Sequence, residues 1–394
     1  VKLNLIALSR TLEITCKLCV ASTMESRSMQ SDREIIIIGG GAIGLATAIE
    51  LRLLGAEVTV LCRDFKAAAG HAAAGMLAPQ AEQISPGSML DLCLASRQLY
   101  PEWIEKIESI SGVSTGYWPC GILAPKYNNL NLAAPKFSAV SPDWLDTRSI
   151  HQHQPGLSPA VVGGYWYPAD GQVDNRSLIH SLWVASQSLG IKFQDGVEVQ
   201  AIHRSQGRVT HLATSHGEMS AQHYILATGA WSQSLLPIPV VPKKGQMLSV
   251  LVPPTQRDNL PLQQVLFGEE IYIVPRQDGR IIIGATSEQV GFTPQNTVGG
   301  VNQLLTNAVR LFPPLQDFPL QETWWGFRPE TPDELPILGQ SADANLTLAT
   351  GHYRNGILLT PITARLIADL VWQQQVDQLL RDFSWERFGL VASG

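Results

Sequence analysis

The stretch Glu34-Ile35-Ile36-Ile37-Ile38-Gly39-Gly40-Gly41-Ala42-Ile43-Gly44 decides the fold. Four consecutive isoleucines are stiff at χ1 and favour an extended backbone. They are apolar at every position rather than at alternate ones, so the strand is buried on both faces, as in a parallel sheet. Glycines follow at once at 39, 41 and 44. Leu45 to Leu54 then reads as a helix with Gly55 as its C-cap, and Glu57 to Cys62 as a second strand. Strand, glycine turn, helix and strand, in this order and at these lengths, meet the needs of a dinucleotide-binding fold. Gly39 allows the tight turn and Gly41 lets backbone approach a pyrophosphate. Gly44 lets helix pack on strand, and the free N–H groups at Ala42 and Ile43 face the phosphates. One piece departs from the pattern. The acidic residue that usually ends the second strand and holds the ribose is Cys62 here, followed by Arg63 and Asp64. Asp64 reaching the ribose and Arg63 binding in its place are both open, and Cys62 itself reads as a small strand-end residue.

The composition around that unit sets bounds. The 394 residues call for two domains, or one domain split by insertions, and 16% charged residues fit a well-buried core. With 28 basic against 34 acidic residues the net charge is −6, which disfavours a nucleic-acid surface. There is no run of 18 apolar residues, so no span of a membrane is expected. Five cysteines, an odd and sparse number, suggest no disulfide framework and a reducing, cytoplasmic setting. Residues 1–33 open with Val1 and an apolar run, Leu3–Leu8, that gives way to Arg10, Glu13 and Lys17. They are too charged for a secretory signal and are expected to be a disordered or loosely attached extension, with Met24 and Met29 as candidate starts. Its Cys16–Cys19 CxxC lacks a second pair. His151 and His153, expected in a loop, lack a third ligand, so no metal site is expected.

Three further segments belong with the first unit. Residues 69–79, Ala-Gly-His-Ala-Ala-Ala-Gly-Met-Leu-Ala-Pro, hold more small residues than amphipathic patterning asks for. Close approach of backbone to a flat ligand asks for them, which singles out Ala69, Gly70, Ala74, Gly75 and Met76. Tyr224–Ala227 is a strand running into Thr228-Gly229-Ala230-Trp231. Leu346–Thr350 is another, followed by the turn Gly351-His352-Tyr353-Arg354-Asn355-Gly356 and a helix carrying Ile362, Leu366 and Leu370. Pro361 is expected in that helix's first turn, and the helix N-terminus could stabilise negative charge. A different pattern marks 271–283: a strand with two distinct faces, an Asp278-Gly279 hairpin and a return strand, the signature of a second, antiparallel sheet. In Trp324-Trp325-Gly326-Phe327-Arg328-Pro329 a single Arg stands among aromatics. Its planar fork suits a carboxylate bidentately; the alternative is a structural pair with Asp333.

The segments IIIIGGGAIGLATAIEL, HAAAGMLA, ATGAW, IYIVPR, GFRPETPD and GHYRNGILLTP resemble the D-amino-acid oxidase family of FAD-dependent oxidoreductases, within it the glycine oxidases of thiamin biosynthesis. They span residue 34 to about 375. The resemblance implies an α/β (mixed α+β) chain: a glutathione-reductase-like, discontinuous Rossmann domain binding FAD, with an antiparallel-sheet substrate domain. The FAD domain is expected at 34–80, 165–235 and 335–375, the substrate domain at 81–164 and 236–334, and a C-terminal tail at 376–394. FAD is expected without a covalent link, because the related enzymes that attach flavin use a Cys late in the chain and none follows Cys120. Its expected contacts add Val199 backbone, Thr228, Gly229, and His352 through Leu358, with Asn355, Gly356 and Ile357 among them, to the glycine turn, Cys62, Arg63 and the 69–76 segment. The resemblance puts Tyr272 and Arg354 with Arg328 on the substrate. The implied activity is oxidation of glycine, sarcosine or small D-amino acids, with the Cα hydride passing to flavin and no side chain needed as base. Oxygen then gives hydrogen peroxide, and the imine supplies thiazole synthesis or hydrolyses to glyoxylate and ammonia. A dimer or tetramer is expected. The rival readings are a D-amino-acid dehydrogenase that reduces a quinone or carrier, and a non-catalytic flavin-fold subunit.

Overall fold

The computed structural model describes residues 33–128 and 142–389. The expected N-terminal extension, with its CxxC and both candidate start residues, lies outside them. Glu34–Ile38 stands inside a six-stranded sheet, between Glu57–Cys62 and His223–Leu226, parallel to both. Leu346–Thr350 and Lys192–Asp195 extend the parallel order, and Ile337–Gln340 closes one edge antiparallel. The isoleucine run divides by period two. Ile35 and Ile37 enter a cluster with four helices, Ala42–Leu53, Ser88–Ser111, Asn175–Ser188 and Gly356–Ala368. Ile36 and Ile38 enter a second cluster, roofed by the three-stranded sheet Val199–Ser205, Arg208–Thr214 and Gly217–Met219. Both faces are therefore covered, which is why no polar alternation occurs in the strand.

The first helix begins at Ala42, three residues before the expected Leu45, because the Leu45 N–H already donates to the Gly41 carbonyl at 2.9 Å. The last helix also starts early, at Gly356. That corrects the placing of Pro361, which sits in the second turn. Proline has no N–H to give the Ile357 carbonyl four residues back. The Tyr100 hydroxyl takes over, donating to the Ile357 oxygen at 2.5 Å, and the Ser96 hydroxyl donates to the Leu358 oxygen at 2.6 Å. Both donors are buried on Ser88–Ser111. This helix lies in the segment 81–164 expected to build the substrate side, but its buried face (Leu92, Tyr100, Trp103, Ile107) belongs to the core of the six-stranded sheet.

The second sheet has eight strands, in the order Leu320–Glu330, Val241–Leu251, Arg280–Gly284, Tyr272–Pro275, Val265–Phe267, Ile122–Lys126, Gly163–Tyr167 and Asp143–Asp146. It is antiparallel except where Val265–Phe267 runs parallel to Ile122–Lys126. One face (Leu248, Leu266, Ile273, Ile283) packs on helix Val298–Leu311. The other (Met247, Val274, Ile282, Tyr167) meets Ala74, Ala78 and Ala81. His151 and His153 lie on the helix Thr147–His153, not in a loop; His153 packs on Trp166 and His151 bonds the Val161 carbonyl. Residues 378–388 of the expected tail form short 3-10 turns that bury Leu380 and Phe383.

Tyr100→Phe would strand the Ile357 carbonyl in the core without a donor. A loss of about 1–3 kcal/mol in unfolding free energy is expected by denaturant titration, with little change in the folded backbone.

Candidate functional site

The glycine turn shows what each glycine is for. Gly39 has φ +116°, and a Cβ there would lie 2.3 Å from the Ala227 carbonyl oxygen. A Cβ on Gly44 would lie 1.9 Å from the Gly39 oxygen. Gly41 differs: a Cβ on it would have no protein atom closer than Ala68 Cβ at 3.7 Å, and it lines a cavity. Neither the helix after Gly41 nor the helix after Asn355 has a side-chain cap. Their first N–H groups have no side-chain acceptor, and both helix starts open on the same cavity.

That cavity runs from the C-terminal edge of the six-stranded sheet to the face of the eight-stranded one. Of the expected cofactor residues, Gly39, Gly41, Ala42, Ile43, Cys62, Arg63, Ala69, Gly70, Ala74, Gly75, Met76, Val199, Thr228, Gly229, His352, Tyr353, Arg354, Gly356 and Ile357 line it. Gly44, Asn355 and Leu358 do not. Gly44 is spent on the helix–strand contact, Asn355 precedes the last helix as its cap residue, and Leu358 is in the core. The 69–79 segment is a one-turn helix, Ala69–Ala72, followed by extended chain. Gly75 has φ +76°, and a Cβ there would lie 2.0 Å from the Val173 oxygen. Behind this turn, buried Arg276 donates to the Ala74 carbonyl at 2.7 Å and to Asn175 at 3.2 Å.

At the sheet edge, burial pushes the Cys62 thiol up to about 11, so it stays protonated. Its Sγ lies 2.9 Å from where a Gly40 Cβ would stand, the packing role expected of a small strand-end residue. The Asp64 carboxylate is occupied in accepting the N–H groups of Lys66 and Ala67. Arg63 lies over the Trp231 ring at 4.7 Å and 3.4 Å from Glu198.

On the far wall Tyr272, Arg328 and Arg354 come together. The alternative pair of Arg328 with Asp333 is not formed: Asp333 holds Arg387 at 2.7 Å. Arg328 donates to the Thr286 carbonyl at 3.1 Å and forms no ion pair among the described residues. A Cβ on Gly245 would meet its Nη1 at 2.4 Å, so the guanidinium lies flat on a glycine. Burial pushes the Tyr272 hydroxyl up and the two guanidiniums pull it back, leaving a phenol that donates at neutral pH. Sequence reading missed Glu82, which lines the same cavity. The one signal was that it is the only acidic residue between Asp64 and Asp91.

A two-sheet flavoprotein-type frame with a glycine-turn cavity defines a class, and comparison narrows it. The chain belongs to the family described as DAO, FAD dependent oxidoreductase, which it matches over residues 34–370. It is 59% identical to the bifunctional protein ThiO/ThiG of Trichormus variabilis, across 92% of this chain and 56% of that protein. The chain thus spans about half the length of such curated relatives. It is 33% identical to the glycine oxidase of Geobacillus kaustophilus, across 90% of this chain and 97% of that one. The crystal structure of that organism's glycine oxidase superposes with a TM-score of 0.83 at 31% identity, covering 91% of this chain and 99% of that one. Among the described residues no helix is long and apolar enough to cross a membrane.

The two glycines should separate in the test tube. Gly41→Ala is expected to fold with near-normal stability as apoprotein but to lose FAD affinity by tenfold or more, read as flavin content and by titration. Gly44→Ala should fail to give soluble folded protein. A second prediction concerns acid. Burial lowers the His352 imidazole to about 3, and His223 is lowered to about 4 by burial, Arg208 and Arg33. The unfolded chain takes up these protons near pH 6.5, the folded one only well below. Stability should therefore fall as pH drops from about 6.5 towards 3, by on the order of 4 kcal/mol for His352 alone. His352→Gln should flatten that slope in urea titrations across the same range.

Proposed function

We propose that the chain is an FAD-dependent glycine oxidase that oxidises glycine, and also sarcosine and small D-amino acids. The observation that carries this is the cluster Tyr272, Arg328 and Arg354, which shares one cavity with the glycine turn and lacks a carboxylate ion-pair partner among the described residues. Two guanidiniums and a phenol donor make a site for one small carboxylate. The relatives named as glycine oxidases point the same way.

The cradle fits FAD. Gly41 leaves room where a Cβ would intrude, and two uncapped helix starts offer N–H groups to its negative charge. We assign its binding, without a covalent link, to the residues that line the cavity from Gly39 to Ile43, from Cys62 to Arg63, from Ala69 to Met76, at Val199, at Thr228–Gly229 and from His352 to Ile357. Cys62 is the cysteine on that lining, and its thiol stays protonated. When bound, FAD supplies a two-electron acceptor that oxygen restores, with release of hydrogen peroxide. The protein's own part is positional. Arg328 and Arg354 take the substrate carboxylate, Tyr272 donates to it, and the Cα is thereby fixed against the cavity's other wall. The imine product feeds thiamin thiazole synthesis or adds water to give glyoxylate and ammonia. The chain organisation we favour is an FAD domain at 34–80, 165–235 and 335–375, joined by the helix Ser88–Ser111 from the first insertion, with the substrate domain built from the rest of the insertions, in a cytoplasmic homo-oligomer.

A coupled peroxide assay with glycine, sarcosine and small D-amino acids tests the reading. Oxygen consumption with none of them, on flavin that glycine bleaches anaerobically, would assign the chain to carrier-linked dehydrogenation instead. Arg328→Ala should lower kcat/KM for glycine by roughly 10²-fold or more, chiefly through KM, as befits a buried charge pair worth about 2–5 kcal/mol. An unchanged KM would remove Arg328 from the site.

A further inference from the structure

Glu82 is a carboxylate without a bonded partner among the described residues. It lines the cavity that holds Tyr272, Arg328 and Arg354, and its side chain makes no hydrogen bond or ion pair among the described residues. Its place is fixed by its backbone. The Gln80 and Ala81 N–H groups both donate to Asp170 Oδ2, at 3.2 and 2.8 Å, and Arg97 in turn grips Asp170. The Glu82 N–H donates to the Ala78 carbonyl at 3.0 Å. A side chain rooted in so pinned a turn is held at the cavity rather than left free to seek bulk water.

The charges that face it are mixed. Burial, the largest influence, opposes its anion together with Asp170, while Arg354 and Arg328 favour it, so its acidity is weakened from the usual carboxylate range. Tyr272 and the buried Cys93 thiol also feel its charge, and both are themselves held protonated by burial. Arg328, Arg354 and Glu82 together carry +1 when Glu82 is ionised and +2 when it is protonated. An amino acid enters as a zwitterion, with a carboxylate for the guanidiniums and an ammonium for which Glu82 is the carboxylate beside them; Asp64 and Glu198, also on the lining, are engaged by the Lys66 and Ala67 N–H groups and by Arg63. An ammonium nitrogen has no lone pair, so its Cα–N bond cannot become an imine until a proton leaves.

We propose that Glu82 accepts that proton, holding the substrate as a neutral amine beside a protonated carboxyl. The step breaks a substrate N–H bond and forms the Glu82 O–H bond, with no change of oxidation state. The proton passes to water when product leaves and Glu82 regains its charge. The inference rests on the glycine-oxidase reading and deepens it, since that reading by itself assigns no side chain as base.

The test is Glu82→Gln in the flavin-loaded enzyme, with two readouts. The first is kcat/KM for glycine across pH. Wild type should lose activity as acid protonates Glu82, on a limb displaced upward from the ordinary carboxylate range. The variant should fall tenfold or more at neutral pH and then climb about tenfold per pH unit until the free amine titrates. The second is acetate, a carboxylate without an amine, titrated by its perturbation of the flavin spectrum. Acetate should bind wild type more tightly as pH falls and Glu82 loses its charge, and the variant with a pH-independent affinity over that window. A variant whose glycine profile superimposes on wild type within twofold, or whose acetate affinity keeps the wild-type pH dependence, overturns the proposal. If Gln at 82 abolishes folding, Glu82→Asp decides: it should keep the acid limb at reduced kcat, and loss of that limb overturns the assignment. Glycine that fails to bleach the wild-type flavin would sink the oxidase reading instead, and the acetate titration would still judge Glu82.

Discussion

The Cα of Gly44 lies so close to the Gly39 carbonyl that a methyl group there would come within 1.9 Å of its oxygen. That contact fixes the helix Ala42–Leu53 at a set height above the strand Glu34–Ile38. The height in turn decides where the helix's uncapped N–H groups point. The same strand pairs in parallel with His223–Leu226, whose end leads to Thr228 and Gly229. That strand pairs with Leu346–Thr350, whose end leads to the second uncapped helix. Three strand ends are brought side by side by backbone ladders alone, and the cavity is the gap they leave. Ligand sites in open parallel sheets form at the carboxyl ends of the strands for this reason.

The second half of the site comes from a different kind of force. The 69–82 segment crosses from one sheet to the other, and small residues let it do so. Ala74, Ala78 and Ala81 pack on the eight-stranded sheet. A Cβ on Gly326 would come within 2.4 Å of Ala72 Cβ. Polar ties then fix what apolar contact only brings near. Arg276, from the second sheet, holds Ala74 and Asn175, and Arg280 reaches Asp174. A guanidinium buried to 4% exposure carries a desolvation cost that these partners offset, and a missing partner would leave it uncompensated. The segment is therefore placed by geometry against one sheet and by charge against the other.

What could be read from sequence follows that division. The isoleucine run, its glycines and the strand beginning at Tyr224 carry local signals, because backbone conformation and burial on both faces constrain each residue separately. The departure at Cys62 was legible too, as was its packing role. The early start of the last helix, which puts Pro361 in its second turn, is not legible locally because the compensation lies elsewhere, in the Tyr100 hydroxyl some 260 residues away in the chain. The segment 81–164, expected on the substrate side, departs from that expectation for a like reason. Its long helix is amphipathic whichever core it joins, and only packing shows that it covers the six-stranded sheet. Glu82 lacked any pattern at all. A single acid in an apolar stretch looks like surface until its neighbours are known, and those neighbours come from the second sheet and the last helix turn.

The charge of the molecule takes a sharper meaning from this. A net charge of −6 says little about a site whose local field is set by Arg328 and Arg354. Screening by water confines the outer carboxylates' influence to a Debye length of about 8–10 Å in ordinary salt. Inside the cavity, where Tyr272 and Glu82 are desolvated, each charge counts for more. Asp333 bears on the outcome by its absence: it is tied to Arg387 and forms no pair with Arg328. A protein that paired every buried charge internally would be no less stable and would bind nothing. Here Arg328 and Arg354 on one wall and Glu82 beside them feel one another's charge, yet none of the three closes an ion pair among the described residues.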